Sequence, residues 1–204
     1  MRALRYTLWG LVALSVVGLG AFASQAYLNN SSRQALYEES VTAVGGPFEL
    51  VRSDTGETVT DVDFSDKPKA IFFGFTFCPD VCPTTLFELA TYLERLGENA
   101  NNIHAIMVTV DPERDTPEFL NEYVTAFSDR IVGLTGTREN IDQAIENYRV
   151  YARRVELDDG DYTMDHTASI FLMNEENQLV GTIAYQEDPA TALPKLQRLT
   201  SLGS

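Results

Sequence analysis

A β-prone run that passes directly into a helical pattern is the strongest constraint on the fold of this chain. The run is KAIFFGFTF (69–77), and apolar residues then recur at helical spacing from Leu86 to Leu96, where Gly97 ends the pattern. A strand without polar alternation is typical of the buried centre of a sheet, and the spacing that follows is that of an amphipathic helix. The sequence therefore predicts a strand–helix unit around which a sheet is built.

Strands and helices continue to alternate toward the C-terminus. Thr116 followed by Pro117 predicts the start of a helix over 117–128, and Thr137 is predicted to cap a third helix. Further strands are predicted in IHAIMVTV (103–110) and RIVGLTG (130–136). Strands that alternate with helices indicate a sheet with a parallel core.

The flanking segments complete the predicted plan. A β-hairpin is predicted over 45–64, with its turn at Asp54-Thr55-Gly56. In the C-terminal part, RVYARRVEL (149–157) is interpreted as a strand and DDGDYTMDH (158–166) as a turn-rich loop. ASIFLMNEENQLVGTIAY (168–185) is interpreted as an antiparallel hairpin, and residues 189–201 as a short helix. This order predicts an α/β, thioredoxin-like fold, with a central mixed sheet flanked by helices and an extra N-terminal β-hairpin.

The N-terminal segment predicts a single transmembrane helix. Arg2 and Arg5 precede an uncharged stretch whose apolar part, Leu8–Ala26, has 19 residues. At about 1.5 Å per residue it would be about 28 Å long, close to the hydrocarbon thickness of a bilayer. Arginines ahead of the span place the N-terminus in the cytoplasm, so we expect a protein of the bacterial inner membrane with its domain in the periplasm. Residues 21–23 (AFA) resemble a signal-peptidase site, but the run exceeds a signal peptide's apolar region of about 7–15 residues, which favours a retained anchor.

The sequence divides into three parts. We expect an N-terminus and anchor (1–28), a tether (29–45) and a thioredoxin-like domain (46–204).

The charge of the chain limits the kinds of partner it can bind. The chain has a net charge of −15, and beyond the anchor 13 basic residues stand against 30 acidic ones, which gives −17. Such a surface repels phosphate backbones, so we expect no nucleic-acid partner. It is either a plain solubilising surface or one matched to a cationic partner.

Both cysteines of the chain lie at the predicted strand–helix junction. Cys78 and Cys82 are four residues apart, a spacing that places side chains on one helical face at about 5–6 Å. Amides at a helix N-terminus also stabilise a thiolate. A structural disulfide, a redox-active disulfide and a metal clamp are the alternatives. So short a loop gains little from a cross-link, and redox pairs usually have the C-x-x-C spacing, one residue shorter.

The metal interpretation needs a third ligand, and the chain has two histidines. His104 lies inside a predicted strand, where a histidine is usually a packed or edge residue. His166 lies just before the terminal hairpin, and in a thioredoxin-like fold the loop entering that hairpin faces the N-terminus of the first helix. His166 is therefore the candidate ligand. Two thiolates and one imidazole suit Cu(I) and tolerate Cu(II), whereas structural zinc usually takes four protein ligands.

Carboxylates beside these residues are candidates for supporting the metal ligands. Asp80 lies between the cysteines, and Asp165 precedes His166 and is a candidate acceptor for the imidazole N–H. A local turn contact explains Asp165 equally well. Met164 is interpreted as packing. The acidic residues between Glu156 and Asp165 are interpreted as a solvated hairpin end, with a guiding surface for a cationic partner as the alternative.

Four segments of the chain together resemble the Sco/SenC family of cytochrome oxidase assembly proteins. They are FGFTFCPDVCPTT, VTVDPERDTPEFLNEYV, GLTGTRENI and DYTMDHTASIFLMN, in this order and behind the predicted anchor. The resemblance implies a thioredoxin-like domain at the outer face of the membrane, with copper bound by Cys78, Cys82 and His166. It also implies a role in building the dinuclear copper site of cytochrome c oxidase subunit II.

The resemblance leaves two roles open. In the first, the chain delivers copper to subunit II and has no enzymatic activity. In the second, its redox-active Cys78–Cys82 pair reduces the cysteines of that subunit, and the chain is a thiol–disulfide reductase. A periplasmic copper donor or thiol reductant is the further partner implied. DPERDTP (111–117) belongs to the family pattern without an assigned chemistry. A rival resemblance of VCPTT (81–85) to the peroxidatic loop of peroxiredoxins lacks an arginine in 70–94 to stabilise the thiolate.

Overall fold

The structure of the chain, a computed structural model, describes Gln25, residues 44–158 and residues 160–202. Apart from Gln25, the predicted anchor (1–28) lies outside the described residues, as does nearly all of the predicted tether (29–45). Within the described part of the chain, no helix is long and apolar enough to cross a membrane.

The strands of the described residues form two sheets. In chain order they are β1 (Glu49–Arg52), β2 (Thr58–Thr60), β3 (Lys69–Gly74), β4 (His104–Thr109), β5 (Ile131–Thr135), β6 (Ala152–Glu156), β7 (Tyr162–His166), β8 (Ile170–Met173) and β9 (Leu179–Ile183). Seven of them form a mixed sheet in the order β2-β1-β5-β4-β3-β8-β9. β3, β4 and β5 are parallel, and β1 and β8 pair antiparallel with this core. The outer strands β2 and β9 pair antiparallel with β1 and β8. The predicted mixed sheet and N-terminal hairpin are confirmed.

The apolar run KAIFFGFTF (69–77) provides β3, a central strand of this sheet. All six residues of β3 are buried, because β4 pairs with one edge of the strand, β8 pairs with the other and both faces are covered. The strand ends at Gly74, so it is three residues shorter than the run that predicted it. Residues 75–77 instead lead across the end of the sheet to the first helix, and this is where the cysteine loop begins.

Four α-helices within residues 44–158 and 160–202 cover the sheet. They are α1 (Val81–Leu96), α2 (Pro117–Thr125), α3 (Arg138–Asn147) and α4 (Pro189–Thr200). The predicted caps are confirmed: Thr116 accepts a hydrogen bond from the amide of Phe119, and Thr137 accepts one from the amide of Asn140. α2 ends at Thr125, three residues before the predicted end, in a turn that leads into β5.

The segment predicted as a turn-rich loop (158–166) is instead largely a strand. β7 pairs antiparallel with β6 in a separate two-stranded sheet, with Ala152 opposite His166. The acidic and glycine residues at the start of the segment suggested a loop, but they form only the turn of this hairpin. The alternation of buried Met164 with exposed Asp165 in β7 is typical of a strand with one covered face.

Candidate metal centre

The two cysteines lie on either side of the point where α1 begins. Cys82 is the second residue of α1 and is fully buried, whereas Cys78 lies in the preceding loop and is partly exposed. The backbone N–H of Cys82 donates a hydrogen bond to Cys78 Sγ at 3.4 Å, and both thiols are free. The N-terminus of α1 therefore faces the Cys78 sulfur and stabilises negative charge on it.

The two thiols differ in acidity. A hydrogen bond from the Cys82 side chain lowers the pKa of Cys78 well below that of a free cysteine. The interaction with Cys78, together with burial, raises the pKa of Cys82. In the metal-free protein the negative charge therefore resides on Cys78, and Cys82 keeps its proton.

The imidazole of His166, the last residue of β7, completes the cluster. Its Nε2 lies 3.3 Å from Cys82 Sγ, and its Nδ1 lies 3.0 Å from the carbonyl oxygen of Thr167. Because a carbonyl oxygen only accepts, Nδ1 carries the proton in this contact and the Nε2 lone pair is directed toward the cysteines. The rings of Phe72 and Phe75 meet the imidazole edge to face, with centroids 5.9 and 5.7 Å away. The ring is thus held in the tautomer and orientation that a metal ligand requires.

The ligand atoms of Cys78, Cys82 and His166 all lie within 4.8 Å of one another. Two thiolates and an imidazole are soft to borderline donors, a set that suits copper. A structural zinc site would usually have a fourth protein ligand. Because Cys78 is partly exposed, the cluster is open on one side. The donor set therefore fits a copper ion that can enter and leave.

The predicted role of Asp165 as the acceptor for the imidazole is wrong. Thr167 provides that acceptor, and the Asp165 carboxylate accepts a hydrogen bond from Arg153 at 3.3 Å on the exposed face of the hairpin. Successive side chains of a strand point to opposite faces, so Asp165 points away from the face on which His166 lies. Asp80 is the exposed N-cap residue of α1 and makes no side-chain cap hydrogen bond. A supporting role for Asp80 stays a prediction.

The two residues set aside as ligands lie outside the cluster. His104 Nε2 contacts Asp66 Oδ1 at 2.6 Å at the beginning of β4, and its ring packs edge to face against Phe64. Met164 is buried in the hydrophobic core. Their interpretation as an edge histidine and a packing methionine agrees with these contacts.

The DPERDTP loop (111–117), whose sequence predicts no chemistry by itself, supports the cluster. The Asp115 carboxylate is fully buried and accepts hydrogen bonds from the backbone N–H of Thr76 at 3.1 Å and from the hydroxyl of Thr109 at 2.6 Å. Thr76 lies two residues before Cys78, so Asp115 anchors the start of the cysteine loop. The only signal in the sequence was the resemblance of this loop to the family pattern.

Gly74 provides the space in which Cys82 and Phe72 meet. A Cβ at this position would lie 2.6 Å from Phe72 Cε1 and 3.0 Å from Cys82 Sγ. Both groups are buried, so neither can move without disturbing the packing around His166. A glycine at the end of β3 is therefore part of the site.

Replacing Gly74 with alanine is expected to lower the free energy of unfolding by about 1–3 kcal/mol, because the added methyl overpacks a full interior. Gly181→Ala is the matched control, since a Cβ there meets only Leu172 Cδ1 at an ordinary 3.8 Å. Urea unfolding of both variants, followed by circular dichroism, measures the difference. Equal stabilities would contradict the proposed crowding at Gly74.

The fold and the cluster together define a class of protein. Thiol chemistry at the first strand–helix junction is typical of thioredoxin-like domains, and here a histidine from a separate hairpin joins the two thiols. The chain is thus a thioredoxin-like protein with a candidate soft-metal centre. It belongs to the SCO1/SenC family, whose family model matches residues 37–201. The resemblance seen in the sequence motifs is confirmed.

Relatives of this chain are found among curated proteins. Protein SCO1 homolog 1, mitochondrial, of Arabidopsis thaliana is 41% identical over 139 residues, which are 68% of this chain and 41% of that protein. Protein SenC of Rhodobacter capsulatus is 37% identical over 148 residues, 72% of this chain and 65% of that protein. The chain thus spans less than two thirds of the length of either relative.

Solved structures agree over the described domain. ScoI of Bradyrhizobium japonicum with copper bound is 45% identical, with a TM-score of 0.71, and the match covers 77% of this chain and 99% of that one. ScoI of Arabidopsis thaliana with copper bound is 36% identical, with a TM-score of 0.72, over 78% and 99% of the two chains.

Proposed function

We propose that this chain is a copper metallochaperone that binds the ion through Cys78, Cys82 and His166. The observation that carries the proposal is the convergence of two thiols and one imidazole within 4.8 Å. Membership of the SCO1/SenC family and similarity to two copper-bound ScoI structures support it. Copper is the cargo, so an open three-ligand site is more suitable than a closed cage.

Both oxidation states of copper are compatible with this ligand set. Two thiolates and a neutral imidazole give a site of charge −1 with Cu(I) and 0 with Cu(II), so neither state leaves a large uncompensated charge. The Nε2 lone pair of His166 and the Cys78 thiolate are available without a proton being lost, whereas Cys82 has to release its proton when the ion binds. Transfer then proceeds by exchange of these ligands for those of the recipient.

The proposed recipient is the dinuclear copper site of cytochrome c oxidase subunit II. The resemblance of the sequence motifs to the Sco/SenC assembly proteins supports this recipient. The apolar segment Leu8–Ala26 behind two arginines supports a single-pass anchor in the bacterial inner membrane, with the copper domain in the periplasm. A periplasmic copper donor would load the site.

A second candidate function, reduction of the subunit's cysteines, is favoured by the state of the thiols. Both are free, and Cys78 is partly exposed with a lowered pKa. The Cys78 thiolate would attack a disulfide of the recipient and release one thiolate, which takes the proton of Cys82. Cys82 then attacks Cys78 Sγ and releases the second thiolate. The recipient gains two electrons, Cys78 and Cys82 form a disulfide, and a periplasmic dithiol reductant restores them.

Copper titration of the reduced chain tests the metal site. We expect one equivalent of copper to bind, and we expect Cys78→Ala, Cys82→Ala and His166→Ala each to weaken binding, because each removes one of three ligands. His104→Ala is the matched control, since this histidine contacts Asp66 away from the cluster and should leave the affinity unchanged. Full affinity in His166→Ala would refute the three-ligand site.

Oxidase assembly in cells separates the two candidate functions. If copper delivery is the role, His166→Ala should fail to restore assembly in a strain that lacks this protein. If thiol reduction is the role, His166→Ala should restore it, whereas neither cysteine variant should.

A further inference from the structure

The hairpin that carries His166 is not part of the main sheet. β6 and β7 pair with each other, and within the described ranges neither pairs with a strand of the seven-stranded sheet. Backbone hydrogen bonding to the main sheet therefore does not set the position of β7. Besides the short link from His166 to β8, which begins at Ile170, side-chain contacts determine where His166 lies relative to Cys78 and Cys82.

Arg114, in the DPERDTP loop, provides such contacts on both sides. Its Nη1 donates a hydrogen bond to the carbonyl oxygen of Tyr162, the first residue of β7, at 3.0 Å. Its guanidinium carbon lies over the Tyr162 ring, 3.7 Å from the centroid, and over the Phe77 ring at 4.7 Å. Phe77 immediately precedes Cys78. One guanidinium thus contacts both the histidine hairpin and the cysteine loop.

Asp111 holds this guanidinium in place. Its carboxylate is 1% exposed and accepts a hydrogen bond from Arg114 Nε at 2.6 Å, and it accepts a second from the Tyr162 hydroxyl at 2.9 Å. The Arg114 side chain is itself only 16% exposed. A buried carboxylate without its partner is strongly unfavourable, so Asp111 restricts Arg114 to this position.

We infer that Arg114 is a positioning residue for the candidate metal centre and that it fixes the His166 hairpin against the cysteine loop. The inference rests on the proposed function, because the geometry that Arg114 maintains is that of the copper ligands. The role suits arginine in particular. Its planar group offers a fork of donors and two flat faces for aromatic rings, whereas lysine offers a single point charge.

Copper titration of Arg114→Ala and Arg114→Lys tests the inference. We expect Cu(II) affinity to fall about 10- to 100-fold in Arg114→Ala, the usual effect of removing a group that orients a ligand. The electron paramagnetic resonance spectrum should lose the coupling to the imidazole nitrogen in part of the population. Arg114→Lys keeps a positive charge beside Asp111, so it should fold normally. Its Cu(II) affinity should nevertheless also be lower than that of the unmodified chain.

Arg154→Ala is the matched control. The Arg154 guanidinium also lies over the Tyr162 ring, 3.6 Å from the centroid, but it is exposed and its ion pairs with Glu156 and Glu113 are solvated. Exposed ion pairs of this kind contribute little to the stability of the fold. Copper affinity and spectrum should therefore match those of the unmodified chain.

A metal-free readout makes the outcome independent of copper chemistry. In the reduced, copper-free chain, the nuclear magnetic resonance signals of the His166 ring should shift and broaden in both Arg114 variants, while the amides of β3 and β4 stay protected from exchange. If both variants keep the unmodified ring signals and full copper affinity, the inference is overturned. If the unmodified chain binds no copper, the proposed function fails, and the ring signals alone still decide whether Arg114 positions His166. If Arg114→Ala does not fold, Arg114→Lys decides in the same way.

Discussion

Replacing Asp115 with alanine is expected to lower the free energy of unfolding by about 2–4 kcal/mol. The carboxylate is fully buried and accepts hydrogen bonds from the backbone N–H and hydroxyl of Thr76 and from the hydroxyl of Thr109. Alanine leaves these donors buried without an acceptor, and each such group costs about 1–3 kcal/mol. Urea unfolding followed by far-ultraviolet circular dichroism measures the loss.

Asp129→Ala is the control for this prediction. Asp129 is exposed in the turn before β5, so its replacement should change stability by no more than about 0.5 kcal/mol. If Asp115→Ala is no less stable than Asp129→Ala, the anchoring role of the buried carboxylate is wrong.

The pH dependence of the same equilibrium provides a second measurement. Burial raises the pKa of Asp115 above its ordinary value. A carboxyl with a raised pKa in the folded state stabilises the fold most when protonated, and this contribution is lost as the pH rises through the folded pKa. Because Asp115→Asn cannot titrate, wild type should gain stability relative to it as the pH falls from about 7 toward the usual aspartate value of about 3.9. A difference that does not change with pH would contradict the raised pKa.

Iodoacetamide is expected to modify Cys78 at least about 100-fold faster than Cys82 in the reduced, metal-free chain at neutral pH, because the thiolate is the reactive form. Cys78 is partly exposed and has a lowered pKa, whereas Cys82 is fully buried and has a raised one. Peptide mapping by mass spectrometry over a time course measures the two rates.

Two comparisons make this prediction specific. In urea-unfolded chain the two cysteines should react at similar rates, since both are then exposed. In Cys82→Ala, Cys78 loses the hydrogen bond that contributes most to its lowered pKa, so its rate at mildly acidic pH should fall. Equal rates for the two cysteines of the folded chain would rule out the unequal division of protons between them.

Local patterns predicted the elements well because local interactions determine them. The buried strand β3, the helix α1 and the caps Thr116 and Thr137 follow from side-chain periodicity and from hydrogen bonds within three residues. The sequence does not predict β7, because the acidic and glycine residues at its start favour a loop and the alternation that follows is short. Its pairing with β6 depends on a partner strand rather than on its own propensity.

The candidate site was predictable to different degrees. The cysteines could be recognised from their spacing at a strand–helix junction, and His166 from its order in a thioredoxin-like plan. The hydrogen-bond acceptor for the His166 imidazole could not be predicted, because it is the backbone carbonyl of Thr167 and every residue has such a carbonyl. Asp115 and Arg114 act on residues far away in the chain, so nothing near them in sequence reveals their contacts.

The linear order of residues determined which elements form and where the two thiols stand, because hydrophobic period, turn residues and helix caps act over a few positions. Only the tertiary structure decided that an imidazole 84 residues from Cys82 lies 3.3 Å from its sulfur. That approach depends on the packing of a separate hairpin against the cysteine loop through buried polar and aromatic groups. Such contacts arise only when distant parts of the chain are brought together, and no local pattern encodes them.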